Sequence, residues 1–263
     1  MLRIDSGVRE NNIRKKLQAG GTSIGSWLAF ESPLSAEIMA AAGFDWLMVD
    51  TEHGPITGSA VINLITACRA AGCVPFVRVT WNESSLIQQA LDMGAYGVLV
   101  PVVNTRKEAK AAVADAKYPP LGNRSCGGSR APVAFGTDMG TYRPRANEET
   151  LLMVQIETPE AVENAEEIAG VDGVDLLFVG PNDLALTMGE WPMNWAKMSD
   201  EYKEAIARIP KVAKKQGKYA GIQIHDAAFA NDCVALGYTL VGYSGDSGML
   251  ARAAKNARAE VKA

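Results

Sequence analysis

Short apolar runs alternate along the chain with longer segments whose apolar residues recur every three or four positions. The short runs predict strands at 23–29, 44–50, 74–79, 97–101, 151–157, 174–180, 219–224 and 238–243. The longer segments predict a leading helix at 11–18 and further helices at 33–42, 59–71, 84–93, 106–117, 159–169, 199–215, 227–236 and 247–261. Eight such strand–helix units joined by glycine-rich turns predict one (β/α)8 barrel over residues 1–263, with residues 1–22 as an N-terminal extension and leading helix.

Two segments interrupt this alternation. Residues 118–149 are rich in glycine, proline and arginine, and their weak periodicity predicts a long loop that makes a subunit contact. Residues 188–198 follow the sixth predicted strand and contain Trp191 and Trp195. This second segment is expected either to cover a pocket or to pack on the surface, and the sequence does not choose between the two.

The composition narrows the class of protein. A formal net charge of −4 over 263 residues gives no electrostatic reason to expect nucleic acid as a partner. No apolar run approaches the roughly 20 residues that a membrane-spanning helix needs, and the N-terminus has no secretion signal. The 4 cysteines form neither a redox pair nor a zinc quartet, which favours reduced thiols in a cytoplasmic protein.

Polar residues cluster where the predicted strands end, which is the end at which barrel enzymes place their active sites. They are Asp50 and His53 after strand 2, Arg78 on strand 3, Gln155 and Glu157 on strand 5, and Asn182 and Asp183 after strand 6. His53 is one of 2 histidines and has carboxylates nearby, which is typical of a proton-transfer group. Each polar group could instead be a solvated strand terminus, but their concentration at one end favours a site.

Glu157 and Asp183 lie on neighbouring strands, so their carboxylates can approach each other. Two such groups repel unless one is protonated or a cation lies between them, and an all-oxygen site suits Mg²⁺ or Mn²⁺. The alternative is that both are helix N-caps. The turn Gly180-Pro181-Asn182-Asp183 directs backbone N–H groups outward and could bind a substrate carboxylate. Arg78 could supply a fixed positive charge, or it could form only a structural salt bridge.

No predicted strand carries a lysine near its carboxyl end, and Lys218 lies before strand 7, at the opposite end. A Schiff-base mechanism needs such a lysine in the pocket. The sequence therefore favours metal-assisted enolate chemistry over a covalent aldolase mechanism.

From about residue 25 to 253 the sequence resembles the HpcH/HpaI aldolase family of metal-dependent pyruvate aldolases. The motifs that carry the resemblance are Val49-Asp50-Thr51-Glu52-His53-Gly54-Pro55, Val77-Arg78-Val79, Leu91-Asp92-Met93-Gly94-Ala95, Tyr118-Pro119-Pro120 with Gly122-Asn123-Arg124-Ser125, Gln155-Ile156-Glu157-Thr158 and Val179-Gly180-Pro181-Asn182-Asp183-Leu184. The resemblance implies a barrel of the phosphoenolpyruvate/pyruvate superfamily type. It also implies a homohexamer, a trimer of dimers, in which subunits exchange their C-terminal helices.

The resemblance also implies a role for each matching residue. It assigns Glu157 and Asp183 to a divalent metal (Mg²⁺ or Mn²⁺, with Co²⁺ as a further candidate), Arg78 to the pyruvyl oxygen, His53 with Asp50 and Asp92 to proton transfer, Gln155 to the pocket, and the amides of Asn182 and Asp183 to the substrate carboxylate. Asp92 comes from the resemblance alone, because its position predicts only a helix end. Gln223 departs from the family by placing a polar side chain on strand 7 where relatives often have an apolar one, and His225 follows it.

These observations predict a lyase that cleaves a 4-hydroxy-2-oxo acid reversibly into pyruvate and an aldehyde. Two further reactions use the same enolate: decarboxylation of oxaloacetate, and cleavage of a malyl- or citramalyl-type thioester. A barrel that only binds a metal–keto-acid complex is the non-enzymatic alternative. The departures at Gln223 and His225 leave the aldehyde open.

Overall fold

Eight parallel strands close into a barrel in chain order, and β8 pairs with β1. The computed structural model describes residues 7–261; residues 1–6 of the predicted N-terminal extension and residues 262–263 lie outside it. The strands are β1 (Ser23–Leu28), β2 (Trp46–Asp50), β3 (Val74–Arg78), β4 (Gly97–Val100), β5 (Leu151–Ile156), β6 (Leu176–Val179), β7 (Tyr219–Ile224) and β8 (Leu240–Gly245). The predicted (β/α)8 barrel is confirmed.

Helices surround the barrel and return the chain from the carboxyl end of each strand to the amino end of the next. They are α1 (Asn12–Gln18), α2 (Pro33–Ala41), α3 (Ser59–Ala70), α4 (Ser84–Asp92), α5 (Arg106–Ala116), α6 (Arg130–Ala134), α7 (Met139–Glu149), α8 (Pro159–Glu163), α9 (Ala165–Ala169), α10 (Pro181–Thr187), α11 (Asp200–Lys215), α12 (Ala227–Leu236) and α13 (Asp246–Glu260). Within residues 7–261 no helix is long and apolar enough to cross a membrane.

The structure corrects several predicted elements: β2, β6 and β8 each begin two residues later, the predicted helix 159–169 is two helices, α8 and α9, and α10 was not predicted. Segment 118–149 is not a loop throughout, because α6 and α7 lie within it. Pro144 and a largely polar sequence hide the periodicity of α7, although the side chain of Asp138 caps this helix by accepting from the Thr141 N–H. Strand β8 begins two residues later than predicted, because the left-handed Gly237 (φ 104°) ends α12 and Tyr238 still bonds to that helix.

Aromatic side chains fill the inside of the barrel. Trp27 packs edge-on against Trp46 and tilted against Phe178, each at 5.6 Å between ring centroids. The facing strand positions must be small: a Cβ at Gly25 would lie 2.0 Å from the Trp46 ring, and one at Gly242 would lie 2.4 Å from Trp27. The barrel is therefore solid below its carboxyl end, and the polar residues lie above an apolar floor.

A buried ion pair closes the amino end of the barrel. The ammonium group of Lys117 lies 2.9 Å from Asp175 and donates to the carbonyl of Thr150 at 2.8 Å. Arg14 binds the other oxygen of Asp175 at 2.8 Å. Because every charge there is paired and hydrogen-bonded, the burial of this lysine is explained by structure alone.

Candidate active site

Asp50 and Arg78 are direct partners in the β2–β3 register, at the carboxyl ends of their strands. The guanidinium binds both carboxylate oxygens, with Nε–Oδ1 at 3.0 Å and Nη2–Oδ2 at 2.6 Å. Both side chains are buried. Burial opposes the charge on Arg78, but the hydrogen bonds and charge of Asp50 outweigh it and raise the arginine pKa. The result is a fixed cation at the floor of the barrel mouth.

Glu52 joins this pair, although the sequence analysis assigned it no role. Its Oε2 lies 3.1 Å from Nη1 of Arg78 and is buried without a hydrogen bond. Burial raises the pKa of Glu52 to about 7, since Arg78 offsets only part of this effect and Asp50 and Asp183 add to it. The available signal was its position directly between Asp50 and His53, beyond a fully buried strand.

His53 lies at the surface of the mouth, with 63% of its side chain exposed. Its Nε2 is 3.9 Å from Oε1 of Glu52. The carboxylate of Asp50 does not hold the imidazole; it accepts instead from the backbone N–H groups of Glu52 and His53, at 3.1 and 3.3 Å. The expectation that Asp50 orients the imidazole is therefore wrong in this structure: Asp50 shapes the loop, and Glu52 is the carboxylate beside the ring.

Glu157 follows β5 and is held by neighbours on two sides. Its Oε1 accepts from the N–H of Val102 at 2.7 Å, and its Oε2 accepts from the amide of Gln155. Gly180 makes room for this pair, because a Cβ there would lie 2.6 Å from Oε2 of Glu157. Burial raises the pKa of Glu157 to about 7; the Val102 N–H opposes the rise, and the charges of Asp183 and Glu52 add to it.

Asp183 lies in the first turn of α10, directly after β6, and is half-buried. Its charge raises the pKa of both Glu52 and Glu157, which brings the three carboxylates into one electrostatic group. Asn182 precedes it and is also half-buried. Of the seven residues expected at this end, the structure brings six to the barrel mouth and leaves His53 at its edge.

The donor set fits a divalent cation. Glu157 and Asp183 would supply carboxylate oxygens, and the buried Oε1 of Gln155 has no partner within the described residues. A cation would relieve the repulsion that raises the pKa of Glu157. Residues 7–261 contain no group of three or more His, Cys, Asp or Glu side chains arranged for a metal. Two protein carboxylates, with the remaining positions left to water and substrate, is the arrangement expected for Mg²⁺.

Asp92 lies apart from this cluster, and its expected role in proton transfer stays a prediction. It is the last residue of α4, the helix that returns from the carboxyl end of β3 to the amino end of β4. Its carboxylate accepts from Arg124 at 2.7 Å, and that guanidinium stacks over the ring of Tyr118 at 4.6 Å. A helix end on the far side of the barrel cannot reach the mouth of the same chain.

Gln223 faces the barrel interior, because Gly221 points at Phe178 and side chains alternate along a strand. Its amide nitrogen lies 3.3 Å from the carbonyl of Ser244 and donates to it, which leaves the carboxamide oxygen available. His225 directly follows the end of β7 and is exposed; partial burial first, and then Arg252, lower its pKa. Gln223 and His225 thus add polar side chains to the β7–β8 side of the mouth.

Trp195 does not cover the mouth. Its ring stacks on Phe229 of α12 at 4.1 Å between centroids, and its Nε1 donates to Asp232 at 3.1 Å. Trp191, in contrast, is 58% exposed. Of the two alternatives for segment 188–198, the structure favours packing on the surface for Trp195.

Within residues 7–261 the one buried lysine is Lys117, at the amino end of the barrel and paired with Asp175. The mouth thus offers carboxylates, one fixed arginine and a histidine. That set suits the stabilisation of negative charge and the transfer of protons, without a covalent amine intermediate.

Comparisons with known proteins agree with this chemistry. The profile of the HpcH/HpaI aldolase/citrate lyase family matches residues 23–253. A 4-hydroxy-2-oxo-heptane-1,7-dioate aldolase from Escherichia coli is 38% identical over 94% of this chain and 93% of its own length. A hydroxypyruvate/pyruvate aldolase from Deinococcus radiodurans is 37% identical over 96% of this chain and 90% of its own. The crystal structure of a family protein from Burkholderia cenocepacia superposes with a TM-score of 0.88 and 35% identity, covering 96% of this chain and 100% of that one.

Proposed function

Because this chain belongs to the HpcH/HpaI aldolase/citrate lyase family, we propose that it cleaves a 4-hydroxy-2-oxo acid reversibly into pyruvate and an aldehyde through the pyruvate enolate. Its relatives are named aldolases, and the chain is accordingly a carbon–carbon lyase. The observation that carries the proposal is the fixed cation Arg78 beside the raised-pKa carboxylate Glu157. That pairing provides positive charge where the enolate oxygen would form.

Members of this family depend on a divalent metal, which we assign to Glu157 and Asp183. Mg²⁺ and Mn²⁺ suit these oxygen donors, and Co²⁺ is a further candidate. When bound, the ion would supply Lewis-acid stabilisation of the charge that develops on the 2-oxo oxygen. The Val102 N–H and the Gln155 amide hold Glu157 in one orientation, so this ligand needs no reorganisation to accept a cation.

Arg78 is assigned to the same 2-oxo oxygen. Its Nε and Nη2 are occupied by Asp50, while Nη1 lies at 3.1 Å from Glu52 and faces the carboxylate group of the mouth. Because two hydrogen bonds to Asp50 hold the guanidinium in one orientation, its Nη1 keeps a fixed direction toward the mouth. The charge is therefore in place before the C3–C4 bond breaks, which is the condition for electrostatic preorganisation.

His53 is assigned to the proton on the C4 hydroxyl, which it would take directly or through a water molecule. Glu52 rather than Asp50 is the carboxylate beside its ring, at 3.9 Å. With a pKa near 7, Glu52 can change protonation in the range where an imidazole also titrates. In the condensation direction the same pair would remove a proton from the pyruvate methyl group.

The substrate carboxylate is assigned to the turn that carries the backbone amides of Asn182 and Asp183, and the 2-oxo acid would lie against Gln155. Gln223 bounds the pocket on the next strand and presents a free carboxamide oxygen. A polar group there can accept a hydrogen bond from a hydroxyl on C3 of the donor. This favours hydroxypyruvate as an additional donor, the substrate in the name of the Deinococcus relative.

We further propose a homohexamer, a trimer of dimers, with α13 exchanged between subunits, in a cytoplasmic enzyme whose partners are small molecules. Apart from Asp246, the described residues of α13 lie outside the buried core, and Leu250 is 59% exposed. Segment 118–149 carries Arg124, which binds Asp92 of α4, and an adjacent subunit is the remaining way for Asp92 to reach a mouth. The predicted subunit contact of this segment stays a prediction.

The test is an aldehyde panel with pyruvate and with hydroxypyruvate, before and after chelation, and with Mg²⁺, Mn²⁺ or Co²⁺ restored. We expect aldol products only with metal, and metal-dependent exchange of the pyruvate methyl protons for deuterium. Metal-dependent exchange without any aldol product would show that the enolate forms but would reject the aldol reaction. Full turnover by the chelated protein would reject the proposal.

A further inference from the structure

A recess of about 320 Å³ lies at the amino end of the barrel, opposite the active site. Val74 and Pro75, which open β3, form part of its wall together with Tyr96, which precedes β4. Arg9 and Arg69 also line it. A water molecule occupies about 30 Å³ in the liquid, so the recess has room for a multiply charged anion with its hydration.

Three arginines from different segments approach each other here. Arg69 lies near the end of α3, Arg130 opens α6, and Arg9 precedes α1. Arg130 donates to the hydroxyl of Thr66 at 3.0 Å, and Thr66 lies on the same face of α3 as Arg69, three residues earlier. The backbone N–H of Arg9 donates at 2.8 Å to the carbonyl of Phe135, directly after α6.

Among the residues that the structure describes, these arginines lack carboxylate partners. Within residues 7–261 none of the three forms an ion pair, and Glu10, the acidic residue at the rim, is paired with Lys15. The Nε of Arg69 and the Nη1 of Arg130 are buried and have no hydrogen-bond acceptor in the part of the chain that the structure describes. Buried donors on charged groups are costly to leave unpaired.

The charges also disfavour one another. Burial lowers the pKa of Arg69, and although the Tyr96 hydroxyl counteracts this, the guanidinium groups of Arg130 and Arg9 lower it further. Tyr96 itself is fixed by stacking on Phe135 at 4.1 Å between ring centroids. A like-charge cluster beside a recess, in which buried N–H groups of two arginines have no acceptor among the described residues, calls for an anion.

We propose that this recess binds a phosphate group, either as inorganic phosphate or as a phosphate monoester, through Arg9 and Arg69, which line it, with Arg130 adding its positive charge from beside Arg69. A tetrahedral anion accepts hydrogen bonds from several directions, which matches donors that arrive from separate segments, whereas the two oxygens of a carboxylate would leave donors unused. The site is separate from the proposed aldolase chemistry, and neither depends on the other. Its occupant would join α3, α6 and the segment before α1 through one charge.

The test uses the intact, chelated protein and follows its Tm in inorganic phosphate, in glycerol 3-phosphate and in chloride at equal ionic strength. We expect a Tm that rises with phosphate concentration but not with chloride. Arg69→Gln should bind phosphate about tenfold or more weakly, the factor expected for losing one charged hydrogen bond. Arg208→Gln, which removes an exposed arginine from α11, should bind as the parent does.

Arg130→Gln is the second variant, and it should also weaken phosphate binding without removing Arg69. If glycerol 3-phosphate stabilises more than inorganic phosphate at equal concentration, the site takes a monoester; the reverse order identifies free phosphate. A parent protein without a phosphate-specific shift, or an Arg69→Gln variant with the parent's shift, would overturn the proposal.

Discussion

Both oxygens of Asp50 bind the guanidinium of Arg78, at 3.0 and 2.6 Å. The same carboxylate accepts from the backbone N–H groups of Glu52 and His53. Asp50 therefore fixes the arginine and the loop that carries the histidine, and its hydrogen bonds within the described residues go to these groups rather than to the imidazole. One acidic residue thus positions two groups that the proposed reaction needs.

Replacing Arg78 with lysine should lower kcat by about 10²- to 10³-fold, the usual cost of losing one oriented donor to a developing oxyanion. Lysine keeps the positive charge but cannot make the two bonds to Asp50 that orient the guanidinium. The measurement is steady-state aldol cleavage, together with Mn²⁺ affinity, which should change little. Near-parental kcat in Arg78→Lys would show that charge alone suffices and that orientation is not used.

Asp50→Asn tests whether Asp50 acts through Arg78. The variant replaces a charged pair with a neutral contact, and we expect kcat to fall about tenfold to a hundredfold. Combined with Arg78→Lys, it should add little, because both changes remove the same oriented guanidinium. Fully additive losses in this double-mutant cycle would mean that Asp50 acts elsewhere, for example on the histidine.

Much of the barrel could be predicted because strand and helix periods differ and each buried strand is followed by turn residues. Helix α7 escaped because Pro144 and a polar sequence give it little apolar periodicity, even though Asp138 caps its start. Helix α6 is only one turn long and has too few residues for a period to show. Apolar periodicity in the sequence therefore does not predict helices that are short or held mainly by tertiary contacts.

The sequence predicts that the candidate site lies at the carboxyl ends of the strands, but not which of its side chains touch one another. Barrel topology brings Asp50, Arg78 and Glu157 to one mouth whatever the side-chain rotamers are. Which carboxylate touches which cation depends on three-dimensional packing, and for that reason the role of Glu52 and the pairing of Asp50 with Arg78 were missed. The role of Asp92 came from the family resemblance alone, which reports no position in space, and it stays a prediction.

Removing one proposed metal ligand should weaken metal binding while the protein still folds. Glu157→Gln keeps the size of the side chain and its contact with the Val102 N–H, but it withdraws a charge from the cation. We expect Mn²⁺ affinity to fall about a hundredfold or more, with aldol activity lost in proportion. Glu163→Gln, at an exposed position on α8, is the matched control. Unchanged Mn²⁺ affinity in Glu157→Gln would exclude Glu157 as a ligand.

Lys117→Met should affect stability and leave the chemistry intact. The substitution leaves Asp175 buried with Arg14 as its remaining cation, and breaking a buried pair costs about 3 kcal/mol. Denaturant unfolding measures the loss, and specific activity of the folded variant should stay near that of the parent. Trapping of pyruvate on the parent protein by borohydride, abolished in Lys117→Met, would contradict both this prediction and the metal-assisted mechanism.

Glu52→Gln should change how the stability of the metal-free protein depends on pH. Burial raises the pKa of Glu52 to about 7, so between its unfolded value and pH 7 the folded state holds a proton that the unfolded state releases. Stability from this group is therefore greatest at low pH and is lost as pH rises through about 7. Tm measured in chelator from pH 5 to 8 should fall in the parent and fall less in Glu52→Gln, leaving the variant the more stable protein at pH 8. Parallel curves for the two proteins would show that Glu52 titrates at its ordinary pKa and does not carry a proton into the active site.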